Sequence, residues 1–232
     1  MKIIEFATRQ ELDAYAGNLL FDLLKRKKNA NIGLATGSTP LGFYDYVASN
    51  YKKEGLSFKD VKSFNLDEYV NCPIETETYR YFMDSNFFSK IDIKKENTNF
   101  PDALNPTAYD EKIDKEGGVD FQLLGIGRNG HIGFNEPNTP FDSKTHIIEL
   151  TKSTREANAR FFNNDMNLVP TKAVSMGIAT IKAKMVVLIA NDPTKKEAIL
   201  SLKEGKADIS NPSTSLIAHP NCYILITKSV LE

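Results

Sequence analysis

The sequence predicts one α/β domain over residues 1–232: a Rossmann-like, mostly parallel sheet with helices on both faces. Segments such as NIGLA and MVVLIA are apolar along their whole length, as strands covered on both faces are. Amphipathic stretches of helical periodicity alternate with them, the pattern of a parallel sheet clothed by helices. The polar, glycine-rich segments come directly after the apolar runs. Ligands bind there in such sheets, beyond the carboxyl ends of the strands.

The elements follow in order. Thr8 and Glu11 have capping-box spacing. Behind them Leu12, Ala16, Leu19, Leu20, Leu23 and Leu24 recur on one helical face, and Lys25–Lys28 place positive charge where the helix dipole favours it. Asn31–Ala35 is a short buried strand. Thr39-Pro40 looks like an N-cap followed by proline at the first helical position, opening a helix with Leu41, Tyr44, Val47 and Tyr51 that ends near Gly55. Val61–Leu66 is strand-like and Tyr79–Phe88 helical. Phe121–Ile126 is an apolar strand, and Thr154–Phe162 is helical. Met185–Ala190 is a buried strand, followed by a helix from Thr194 to Glu204 that Gly205 stops. Cys222–Thr227 is the last strand.

Bulk properties narrow the function. A single domain of 232 residues buries roughly three-quarters of its unfolded surface, enough for a core with an internal cleft. With 29 basic and 30 acidic residues, the chain lacks the basic footprint of a nucleic-acid binder. No stretch approaches the roughly 20 apolar residues of a membrane span, and the N-terminus carries acids where a signal peptide is apolar. Cys72 and Cys222 lie far apart without metal-ligand spacing, which suits free thiols in a reducing compartment. The expectation is a cytosolic protein with no metal, nucleic-acid or membrane partner.

Three segments carry chemistry. In Leu34–Pro40, LATGSTP, Gly37 permits a tight turn, Ser38 and Thr39 supply hydroxyls, and a helix N-terminus adds partial positive charge. That is a phosphate cradle without a Walker lysine, although an ordinary strand–turn–helix with a Ser/Thr cap has the same pattern. In Phe64–Val70, FNLDEYV, a strand ends in Asp67 and Glu68. Adjacent strand residues point in opposite directions, so one carboxylate faces the cleft. A desolvated Asp67 can serve as a general base, while the plainer alternative is a turn-capping Asp. In Gly125–Pro137, GIGRNGHIGFNEP, four glycines surround Asn129, His131 and Glu136. This is not the dinucleotide fingerprint. Imidazole moves protons near neutrality, and a neighbouring carboxylate fixes its tautomer. Arg160 and Lys195 are candidates to complete an anion site, or are solvated surface cations.

Taken in order, LATGSTP, FNLDEYV, GIGRNGHIGFNEP, TREANARFFNND and AVSMGIATI resemble the glucosamine-6-phosphate deaminase (isomerase) family, a likeness running from Ile32 to about Gly205. The resemblance implies conversion of D-glucosamine 6-phosphate and water to D-fructose 6-phosphate and ammonia, without cofactor or metal. It implies that Asp67 moves the C2 proton toward C1, that His131 opens the sugar ring, and that Glu136 and Asn129 orient His131. Gly37, Ser38 and Thr39, with Arg160 and Lys195, would hold the phosphate. Larger enteric-type members have Asp where this chain has Asn129. Allosterically activated members carry basic residues in the stretch that here reads SKTHIIEL, and the chain stops soon after its last strand. The expectation is therefore an unregulated monomer or weak oligomer. Three other readings stay open: a galactosamine-6-phosphate enzyme, a 6-phosphogluconolactonase and a sugar-phosphate sensor.

Overall fold

The computed structural model describes residues 1–232, apart from the side chains of Ser153 and Ala157. The chain runs β1 (Lys2–Phe6), α1 (Arg9–Arg26), β2 (Asn31–Leu34), α2 (Leu41–Asn50), β3 (Lys62–Asn65) and β4 (Asp67–Tyr69). It continues as α3 (Tyr79–Asn86), β5 (Thr98–Asn99), α4 (Pro106–Lys115), β6 (Phe121–Leu124), β7 (His146–Glu149) and α5 (Lys152–Asn158). It ends with β8 (Lys172–Ser175), α6 (Ile178–Ile181), β9 (Met185–Ala190), α7 (Lys196–Glu204) and β10 (Cys222–Thr227).

Seven strands form one sheet in the order β1-β10-β9-β6-β2-β3-β5, and every pairing in it is parallel. Helices α1 to α3 cover one face through Leu12, Ala16, Leu20, Phe43, Val47 and Met83. The other face is closed by Tyr109 and Ile113 of α4 and by Ala198, Ile199 and Leu202 of α7. Helix α1 starts where the sequence places it: the Thr8–Glu11 capping box is present in both directions. At the far end of α7, Gly205 takes φ 72°, a left-handed cap that suits glycine.

Chain order reverses at β2, with β3 on one side and β6 on the other. Such a switch point opens a crevice beyond the strand ends. A second sheet, β4-β8-β7, walls this crevice and is antiparallel. Leu66 joins the two sheets: its N–H donates to Leu34 O at 3.0 Å, and its carbonyl accepts from Met176 N–H at 2.7 Å.

The second sheet, with β1, β5, α4 and α6, adds to the elements expected from sequence. Boundaries also move. Pro40, not Thr39, occupies the cap of α2, because the first helical hydrogen bond runs from Tyr44 N–H to the Pro40 carbonyl at 3.0 Å. Helix α2 ends at Asn50, and turns rather than helix lead to Gly55. The stretches expected as Tyr79–Phe88 and Thr154–Phe162 helices each finish in a 3-10 turn.

Candidate active site

A cleft of about 600 Å³ lies beyond the carboxyl ends of the central strands. Its wall includes Gly37, Ser38 and Thr39 after β2, Asp67 at the start of β4, His131 after β6, Arg160 after α5 and Lys195 after β9. Seven of the nine residues singled out in the sequence thus face one space. Asn129 and Glu136 stand behind His131 instead of on the wall.

The turn after β2 carries a left-handed glycine on the cleft wall. Gly37 has φ +94°, yet a Cβ placed on it would meet nothing within 4 Å. The position therefore demands a backbone shape, not extra room. Arg9 of α1 pins this turn: its Nε donates to Asp13 Oδ2 at 2.7 Å while its Nη2 donates to the Thr39 carbonyl. The following residue is proline, so that peptide has no N–H. Its only polar atom is thus taken up by Arg9. Lys195 is half-buried and makes no ion pair among the described residues. Burial pulls its ammonium below the ordinary lysine value; Asp192 opposes this and Arg128 reinforces it. Gly37→Ala places a β-carbon on a left-handed residue, at about 1–2 kcal/mol of strain. We expect KM for a phosphorylated substrate to rise about tenfold, with kcat within about twofold, in steady-state kinetics.

Asp67 and Glu68 separate as neighbouring strand residues must. Asp67 is 7% exposed and lines the cleft. No hydrogen bond reaches its carboxylate among the described residues. Burial pushes it up to about 8, and the charge of Glu68 adds to the shift. Tyr69, Tyr79 and Phe134 form an aromatic wall beside it, Tyr79 stacking on Phe134 at 6.1 Å between centroids.

His131 is oriented by a relay. Asn129 Nδ2 donates to Glu136 Oε2 at 2.7 Å. That fixes the amide, so its Oδ1 must face His131. Oδ1 accepts the His131 backbone N–H at 3.2 Å and lies 2.7 Å from Nδ1. Nδ1 therefore carries the proton, leaving Nε2 as a free acceptor. Glu136 Oε1 lies 3.7 Å from Nδ1, close enough to act through charge without a direct bond. Desolvation lowers the imidazole below its ordinary value, Lys195 lowers it further, and Glu136 opposes both. Gly127 makes the fit possible, because a Cβ there would stand 2.2 Å from the His131 ring. Gly125, grouped with it in the sequence reading, shows neither a positive φ nor a close neighbour.

Arg9, Tyr69, Tyr79 and Phe134 escaped the sequence reading. Only the cleft's position reveals them.

Fold and cleft together define an α/β enzyme with a carboxylate, an imidazole and a left-handed glycine turn converging at a sheet switch point. The chain belongs to the family described as glucosamine-6-phosphate isomerases/6-phosphogluconolactonase, whose pattern matches residues 6–223. A glucosamine-6-phosphate deaminase from Malacoplasma penetrans is 46% identical, over 97% of this chain and 97% of its own. One from Lysinibacillus sphaericus is also 46% identical, over 97% and 98%. A solved structure of a monomeric glucosamine-6-phosphate deaminase superposes with a TM-score of 0.94 at 38% identity, covering 100% of both chains. A 6-phosphogluconolactonase from Thermotoga maritima shares the fold at a TM-score of 0.73 and 16% identity.

Proposed function

We propose that this chain is a glucosamine-6-phosphate deaminase, releasing ammonia and D-fructose 6-phosphate from D-glucosamine 6-phosphate and water. The observation that carries this reading is the buried, unbonded Asp67 carboxylate facing the same cleft as the Gly37 turn. Opening a lactone requires water attack on an ester. It does not require a desolvated base aimed at a C–H bond.

Phosphate binding at Gly37, Ser38 and Thr39, with Arg160 and Lys195 neutralising charge, anchors C6 and fixes where C1 and C2 fall. Nε2 of neutral His131 accepts the O1 proton and returns it to the ring oxygen, giving the open aldehyde. Asp67, as carboxylate, removes the C2 proton; the resulting enolamine takes that proton back at C1. Water adds to the C2 imine, and ammonia departs. Asp67 must be ionised for this, and the positive C2 ammonium bound beside it favours that form.

The chain matches a monomeric relative over its full length. We infer that it too works as a monomer, without effector. The segment where activated relatives have cations holds His146 and Glu149 in β7, each engaged locally: His146 Nδ1 with Lys144 O at 2.7 Å, and Glu149 with Lys172 at 3.6 Å. No helix among the described residues is long and apolar enough to cross a membrane. We place the enzyme in the cytosol, where a charged sugar phosphate is retained.

Incubation of the purified chain with glucosamine 6-phosphate, galactosamine 6-phosphate and 6-phosphogluconolactone tests this reading. Ammonia release from the first, exceeding that from the second, is the expected result. Binding of the sugar phosphate without ammonia would overturn the enzymatic assignment.

Asn129→Asp puts a negative charge against Nδ1 in place of a neutral amide, so the imidazole should titrate higher, by about one pH unit. The chain has only three histidines, which makes an NMR titration of the His131 ring practical. An unmoved midpoint would show that Asn129 does not govern the protonation of His131.

A further inference from the structure

Resting on the reading of Asp67 as the base, the residue beside it acquires a task of its own. Every acceptor direction of the Glu68 carboxylate in use points at backbone. Oε1 accepts Tyr69 N–H at 2.8 Å and Tyr79 N–H at 2.9 Å, and Oε2 accepts Arg80 N–H at 2.9 Å. Tyr79 and Arg80 are the first two residues of α3, whose amides have no carbonyl one turn earlier to bond. Thr78 supplies the adjoining cap to Tyr81 N–H at 3.2 Å. Helix α3 in turn brings Tyr79, Tyr81, Phe82, Ser85 and Asn86 to the cleft wall.

We infer that Glu68 is a positioning residue that fastens the first turn of α3 to the strand end carrying Asp67, so that base and cleft wall hold one fixed relation. The attachment has an electrostatic side. Facing Asp67 are Glu68 and Tyr69 on its own strand, Tyr44 from α2, Tyr79 from α3 and Tyr109 from α4. The phenols are neutral at working pH. Glu77, His131, Arg160 and Lys195 line the same cleft, but among the described residues Glu68 is the one whose negative charge adds to the shift of Asp67. Its charge is partly offset by the positive end of α3 that it caps. Removing the charge leaves that end uncompensated beside Asp67.

Three variants separate the two effects. Glu68→Gln keeps the size and removes the charge: the Asp67 midpoint, followed by its carboxyl carbon-13 shift, should fall by about one pH unit. The acid limb of kcat/KM should fall with it. Glu68→Asp keeps the charge but shortens the reach. Here the Asp67 midpoint should hold, while the Tyr79 and Arg80 amides exchange with solvent at least about tenfold faster and KM rises. Glu68→Ala should show both changes, with melting curves to establish that it folds. Amide exchange and KM at wild-type values in Glu68→Asp, or an unmoved Asp67 midpoint in Glu68→Gln, would overturn the inference. Should the wild-type protein release no ammonia, the functional reading fails. The exchange and titration measurements still decide the role of Glu68.

Discussion

Asp67→Asn should lower the rate of ammonia release by on the order of 10³- to 10⁴-fold while leaving KM nearly unchanged, as expected for a general base that contributes little to ground-state binding. The same substitution should make the protein more stable, with a pH dependence set by the carboxyl's displaced titration. The folded-state value is raised from 3.8 to about 8. The folded chain therefore binds the proton more tightly than the unfolded one. Its contribution to stability is complete below the unfolded value and is lost as pH rises toward 8. At pH 7 the ionisable carboxyl costs roughly 4 kcal/mol relative to a group that stays neutral. Thermal melts should show Asp67→Asn gaining roughly 10–20 °C near pH 8 and much less near pH 4. Equal melting temperatures at both pH values would mean that the carboxyl is not held in a desolvated state. An active Asp67→Asn variant would mean that it is not the base.

His131→Ala should reduce kcat by about 10²- to 10³-fold, less than the loss of Asp67, because the sugar ring also opens slowly in water. KM should change little, since the residues proposed to hold the phosphate lie on other loops. The imidazole is held below its ordinary value with burial as the leading cause. It is therefore already the neutral acceptor near pH 7. Ammonia assays on the variant provide the check. Activity within about fivefold of wild type would remove His131 from the proton-transfer pathway. Gly127→Ala should imitate part of this loss, because the added carbon falls on the ring itself.

How legible the protein was depends on the kind of signal each part sends. Met185–Ala190 and Cys222–Thr227 could be read to the residue because strands covered on both faces are apolar at every position. The antiparallel sheet was invisible for the opposite reason. Strand β7 alternates half-buried and exposed residues, and β4 is three residues long. In β4 one residue is the proposed base and the next accepts from the first amides of α3, so neither follows strand preference. Within the site, Asp67, His131 and the Gly37 turn were readable because their local chemistry departs from what packing would select. Asn129 was readable as a neutral acceptor. Its fixed orientation was not, since that depends on Glu136 returning to it across a turn. Arg9 was unreadable: its role depends on a carbonyl 30 positions away.

The strand order carries a consequence for how the molecule comes into being. Strand β1 pairs only with β10, through Lys2↔Tyr223 to Phe6↔Thr227. Strand β1 therefore joins the sheet only once β10 is in place. Until β10 slides between β1 and β9, both of those strands present open edges to the crowded cell. Loops assembled from Gly37 to Lys195 can meet before then, yet the layer beneath them stays incomplete. Active protein should therefore appear in a late folding step governed by its most distant pairing.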